Sequence, residues 1–142
     1  FLEPAFADVT YFGYGPIESY PDKHHDAKLG LYTSDVDSLH EDYLRPQENG
    51  SHWNCSGLAL TTSDHRSLLI SGTQNFSFNA SRYTQEELTT KAHSFELEKS
   101  PYTVLCLDGY MSGCGSNSCG PALAKKYRVD QDKLTFTFTL NF

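Results

Sequence analysis

Cysteine is scarce in this 142-residue chain, with four residues (Cys55, Cys106, Cys114 and Cys119), and there is one methionine and one tryptophan. Four unevenly spaced thiols make no disulfide scaffold, and a chain this long needs none to support its core. Free thiols in a cytoplasmic protein are the simpler expectation. Basic residues are also few, 11 Lys+Arg against 18 Asp+Glu, for a formal charge of −7. An acidic surface repels phosphate backbones and anionic lipid, which argues against nucleic acid and membrane as partners. No apolar run approaches the roughly 20 residues of a membrane-spanning helix. The start, Phe1-Leu2-Glu3-Pro4, carries neither a methionine nor a signal-peptide pattern, so the chain reads as an excised or mature piece.

What is present is ample apolar material, 38 % hydrophobic with 13 % aromatic residues, enough for a single packed domain over 1–142. Leu134, Phe136, Phe138, Leu140 and Phe142 alternate with Thr135, Thr137, Thr139 and Asn141. That period of two predicts a strand with one buried and one wet face. Similar runs at Val9–Tyr14, Gly57–Thr62, Ser67–Ser71, Asn75–Ala80 and Tyr102–Asp108 are separated by Gly, Pro, Asn, Asp and Ser. One helix is expected near 84–91, where Thr84 can cap and Glu87 can reach back in a capping box. The fold class that follows is all-β, an antiparallel sandwich with one short helix. The stretches Gly13–Leu29 and Asp108–Pro121 read as loops, where sites tend to be built.

Candidate chemistry is sparse. A glycosidase needs two carboxyl groups about 5 to 10 Å apart, and 18 acids satisfy any spacing, so none is nominated by spacing alone. His24-His25-Asp26 offers metal ligands without a third partner, and Cys114 and Cys119 lack the two-residue gap of a zinc knuckle. No metal site is expected. Cys106, between Leu105 and Leu107, reads as a small hydrophobe. His93, with Glu96 three residues on, is either a general base or, more simply, a helix-end residue meeting the last carbonyls. Trp53 is a sugar platform or a packing residue. Arg45-Pro46-Gln47-Glu48-Asn49-Gly50 puts a turn beside a guanidinium and a carboxylate, and Arg45 with Glu48 is expected to tie that loop down. Asn49, Asn54, Asn75 and Asn79 each head a glycosylation triplet, which keeps a secreted glycoprotein as the alternative localisation.

Several segments together carry more. They are Gly13-Tyr14-Gly15-Pro16-Ile17-Glu18-Ser19-Tyr20-Pro21-Asp22-Lys23, the Arg45–Gly50 loop, Phe76-Ser77-Phe78-Asn79-Ala80-Ser81-Arg82-Tyr83-Thr84-Gln85-Glu86-Glu87-Leu88, Ala92-His93, and Leu107-Asp108 with Met111-Ser112-Gly113-Cys114-Gly115 and Cys119-Gly120-Pro121. In order and spacing they resemble the C-terminal domain of the large β-galactosidases of glycoside hydrolase family 2. The resemblance implies the C-terminal half of a galactose-mutarotase-like supersandwich, with sheet edges free to pair or to form a dimer. It implies that the catalytic glutamates, magnesium and a monovalent cation belong to a separate (β/α)₈ barrel, leaving no cofactor in this chain. Its partners would be that barrel and the other domains, and galactoside would be met in the intact enzyme. In the family a tryptophan just before the Phe-x-Phe-Asn strand closes the galactose pocket; here Ser71-Gly72-Thr73-Gln74-Asn75 precedes it. The positions marked as bordering substrate or a neighbouring domain are Arg45, Glu48, Asn49, Trp53, Thr73, Gln74 and His93. A free-standing galactoside-binding module and a mutarotase-like epimerase using His93 are the alternatives.

Overall fold

The structure, a computed structural model, describes residues 1–115 and 120–142. Eight strands are laid out in chain order: β1 Asp8–Gly15, β2 Lys28–Asp35, β3 His52–Cys55, β4 Gly57–Thr61, β5 Ser67–Gly72, β6 Phe76–Ser81, β7 Val104–Asp108 and β8 Phe138–Asn141. All pairings between them are antiparallel. They form a five-stranded sheet in the order β2-β1-β4-β5-β8 and a three-stranded sheet in the order β3-β6-β7. The all-β sandwich expected from the period-two pattern is what forms.

Alternation decides the core. Val9 and Tyr11 of β1, Leu58 and Leu60 of β4, and Leu68 and Ile70 of β5 point to one side, where they meet Phe76, Phe78 and Ala80 of β6. Tyr11 lies at the junction, its ring 5.1 Å from that of Phe78 and 4.5 Å from that of His52. β6, the middle strand of the smaller sheet, is buried along its whole length because one face lies on the core and the other under the Asn49-Gly50 turn, whose Asn49 carbonyl accepts from Asn79. Polar Ser77, Asn79 and Ser81 are therefore buried with it.

Two strands were not apparent in the sequence. β2 (Lys28-Leu29-Gly30-Leu31-Tyr32) turns its leucines outward, paired with Phe12 and Tyr14, so it lacks the usual apolar-inward signature. β3 is four residues long and irregular in register against β6, with Asn54 at φ +58°. The C-terminal strand is shorter than its alternation suggested. Phe136 and Phe138 pack on the core, whereas Leu134, Leu140 and Phe142 are exposed, left uncovered by the described residues.

The helix α1 spans Gln85–Thr90, with Thr84 Oγ1 accepting from the Glu87 N–H at 3.1 Å. The reciprocal half of the expected capping box is absent. Glu87 instead accepts from the Glu98 N–H at 2.8 Å and pairs with Lys91, holding the chain that leaves the helix.

The Tyr11 hydroxyl and His52 Nε2 are buried without a hydrogen-bond partner among the described residues. Burial pushes the Tyr11 phenol well above its ordinary pKa and the His52 imidazole down to about 4, so both stay neutral. Phe78→Ala, which opens a cavity between the sheets, is expected to cost about 3–5 kcal/mol in urea unfolding. Tyr11→Phe, which deletes an unsatisfied hydroxyl and keeps the ring, is expected to leave stability unchanged or raise it. A loss above about 1 kcal/mol in Tyr11→Phe would mean that the hydroxyl has a partner.

Candidate functional site

The connections at one end of the sandwich converge on a carboxylate that sequence reading did not single out. Glu18 lies in the loop after β1, its side chain 5 % exposed. Three donors from three segments reach it: the Lys23 ammonium, the Tyr43 hydroxyl, and the Gly50 backbone N–H at 2.8 Å. Lys23 also donates to the Tyr43 hydroxyl oxygen at 3.0 Å. Burial by itself would raise the Glu18 pKa, but the hydrogen bonds from Lys23, Tyr43 and Gly50 outweigh it and hold the acid below its ordinary value.

Glycine is required at the third contact. Gly50 has φ +71°, and a Cβ there would collide with the Leu39 carbonyl oxygen. Next to it, Asn49 is buried and acts as a three-way connector. Its Oδ1 accepts from the Glu41 N–H at 2.9 Å, its Nδ2 donates to the Gln47 carbonyl at 2.9 Å, and its own carbonyl accepts from Asn79 of β6. Ser19 continues the network, donating its N–H to the Ser51 carbonyl at 2.7 Å and accepting the Trp53 N–H on Oγ at 2.9 Å.

Arg45 and Glu48 do not tie the loop. Both are exposed, and among the described residues neither side chain makes a hydrogen bond or an ion pair. The loop is held from below by Glu18 and Asn49, which leaves the Arg45 and Glu48 side chains free at its surface. The Glu48 carboxyl is pushed above its ordinary range, first by partial desolvation and then by the negative charges of Asp108 and Glu18. Burial raises Asp108 as well.

Trp53 is half-buried on β3, its ring stacked on Tyr14 at 5.4 Å and tilted against His24 at 4.6 Å. The His24 and His25 rings stack nearly parallel at 5.1 Å, so their nitrogens do not converge as metal ligands would. Among the described residues no group of three His, Cys, Asp or Glu is placed to hold a metal ion. Cys119 lies outside the described residues, and Cys114 is an exposed free thiol. Thr73 and Gln74 are exposed in the turn before β6, and Asn75 Nδ2 donates to Asn54 Oδ1 at 2.9 Å, which binds that turn to the residue after Trp53. Arg45, Glu48 and Asn49 thus share one loop, Ser19 links the residue after that loop to Trp53 on β3, and Asn75 ties the Thr73-Gln74 turn to the residue after Trp53. His93 does not join them. It lies beyond α1, exposed, stacked on Phe95, with Nδ1 3.6 Å from Glu96 and no bond to the last helical carbonyls. Two glycosylation triplets are unusable as folded, because Asn49 and Asn79 are buried and bonded.

This arrangement is a hydrogen-bonded platform presenting Arg45, Glu48 and Trp53. A sequence model described as the β-galactosidase small chain matches residues 1–140. The chain belongs to the β-galactosidase small-chain family. It is 51 % identical over 141 residues to a β-galactosidase of Actinobacillus pleuropneumoniae, 37 % over 141 residues to that of Staphylococcus xylosus, and 35 % over 144 residues to that of Kluyveromyces lactis. Each match covers 99 % of this chain and 14 % of the relative. The small-chain segment is therefore a minor part of the proteins it resembles.

Within this small-chain fold, Glu18 was legible only as part of Gly-Pro-Ile-Glu-Ser-Tyr-Pro-Asp. The run holds two carboxylates, Glu18 and Asp22, and nothing local tells which is buried, because two of the three Glu18 donors, Tyr43 and Gly50, are remote in the chain. Glu18→Gln is expected to cost about 2–3 kcal/mol at neutral pH, the scale of charge-assisted bonds. Because the folded-state pKa of Glu18 is lowered, its contribution is present above the unfolded carboxylate pKa and is lost as pH falls through the folded value. Urea midpoints measured across the acid range should therefore fall more steeply for the wild type than for Glu18→Gln. Glu48, raised by its surroundings, has the opposite sign: Glu48→Gln should be neutral or mildly stabilising at pH 7. If Glu48→Gln were the more damaging of the two, the assignment of Glu18 as the anchor would be wrong.

Proposed function

We propose that this chain is the non-catalytic C-terminal part of a cytoplasmic bacterial β-galactosidase of glycoside hydrolase family 2, an enzyme that hydrolyses terminal β-D-galactosides of the lactose type with retention. In this reading residues 1–142 form one unit, the C-terminal half of a larger sandwich domain. The Arg45–Gly50 loop, with Trp53 and the Thr73-Gln74 turn, borders either the active site or the neighbouring domain. The reading rests on the match of 99 % of the chain to β-galactosidases of which it covers 14 %.

The chemistry of the site is consistent with a supporting role. A retaining glycosidase needs an acid held protonated about 5 to 5.5 Å from an ionised nucleophile across an accessible sugar. Glu18, the best-organised carboxylate here, is sealed from solvent and held ionised by its three donors. That is the state of a structural anchor: to act as a general acid Glu18 would first have to take up a proton, which would weaken the bonds that keep the loops together.

A galactoside-binding module is the second reading, favoured by the half-buried Trp53 stacked with Tyr14 and His24. Two measurements separate the readings. The purified chain incubated with a chromogenic galactoside is expected to give no turnover above blank, and turnover abolished by Glu48→Gln would place catalysis here after all. Because Trp53 is the single tryptophan, its fluorescence reports directly on sugar at that loop. Titration with galactose and lactose is expected to leave it unchanged, whereas a saturable millimolar response lost in Trp53→Phe would favour the binding module.

A further inference from the structure

The five-stranded sheet has a second face, turned away from the core, and it is unusually apolar for a surface. Phe12 of β1 has Leu31 of β2 as its neighbour on one side and Gly57 of β4 on the other. Ala59 and Leu69 are directly paired one step further along the sheet. Leu31 is 69 % exposed, Leu29 53 % and Leu69 50 %. Between these side chains the missing side chain of Gly57 leaves a socket: a Cβ built there meets no atom within 4 Å.

Charge on this face is confined to one end, where the outward-facing Asp8 of β1 is paired with Asp35 of β2. The outward positions from Thr10 to Tyr14, Leu29 to Thr33, Gly57 to Thr61 and Ser67 to Ser71 carry no ionisable acid or base other than Tyr14, in a protein of net charge −7. Contiguous exposed apolar patches of this kind on a soluble chain mark a surface that is covered in the working protein.

We infer that this outer face, centred on the Gly57 socket, is the docking surface for the remainder of the parent β-galactosidase polypeptide. The inference rests on the reading given under Proposed function. The occupant is an uncharged surface that places an aliphatic or aromatic side chain into the socket between Phe12, Leu31 and Leu69. The relatives' length favours this occupant over a second copy of the chain: each match covers 14 % of its relative, so most of such a polypeptide lies outside this fold. Covalently joined segments meet at effective concentrations in the millimolar range, far above those of separate chains. Two copies, each at −7, would in addition repel one another on approach.

The test places a thiol at the most exposed point of the face, Leu31→Cys, both in the intact parent enzyme and in the 142-residue chain, with alkylation located by peptide mass analysis. The expected result is labelling at position 31 at least tenfold slower in the parent than in the isolated chain. Equal rates in the two would overturn the inference. Sedimentation of the isolated chain as a dimer, with position 31 protected and Gly57→Phe restoring the monomer, would overturn it in favour of a second copy. Gly57→Phe fills the socket from this side. It is expected to leave the isolated chain's thermal midpoint unchanged or higher, and to lower the parent's by several degrees; an unchanged parent midpoint counts against docking there. Assay of the same parent on a chromogenic galactoside keeps the two ideas apart. Protection at position 31 without galactosidase activity would sink the proposed function and leave the docking surface standing, and activity with an unprotected position 31 would do the reverse.

Discussion

A carboxylate removed from water must be met by donors or give up its charge, and at Glu18 the donors come from three places in the chain. Lys23 is local, Tyr43 and Gly50 are remote, and the last is a backbone group that reaches the acid because Gly50 takes a positive φ. Satisfying one buried charge therefore fixes the loop after β1, the segment around Tyr43 and the Arg45–Gly50 loop with respect to one another. Asn49 and Ser19 extend this order into the sheets through Asn79, Ser51 and Trp53. The polar end of the molecule is built outward from that carboxylate.

Below it, the two sheets are unequal. Three strands cover five, and β6 runs buried through the middle of the smaller one. The inner face of the larger sheet is well filled near β1 and β4 and poorly filled near its β8 edge, where the inward-facing Leu140 is 50 % exposed. The outer face carries leucines where a solvated sheet carries charge. A sandwich that ends in uncovered apolar surface on two sides has the character of a segment of a larger assembly, in keeping with the share of its relatives that it spans.

Much of this was readable along the chain, and for a consistent reason. β1, β4, β5, β6 and β7 were found because each has apolar residues flanked by turn formers, and the Thr84 cap was found because capping is a contact over three residues. β2 was missed because its leucines face outward, against the usual sign of amphipathic patterning. The Arg45–Glu48 tie was expected because both charges sit in one hexapeptide, but among the described residues neither side chain makes a hydrogen bond or an ion pair. The acid that does hold the loop is 32 residues from Gly50 in the chain. His93 and Glu96 were paired as their spacing suggested, yet the pair sits apart from the loop platform.

The sequence by itself determined the class of fold, the strands whose apolar side faces inward, the helix start, and the glycine that the Arg45–Gly50 turn demands. These are matters of period, local hydrogen bonding and backbone sterics, all of which act over a few residues. Only the tertiary structure decided which of 18 acids is buried and held ionised, which charged residues are left free on the loop, and that one sheet face remains uncovered. Those outcomes depend on donors and neighbours brought together from distant parts of the chain, and solvation is a property of that assembled surface.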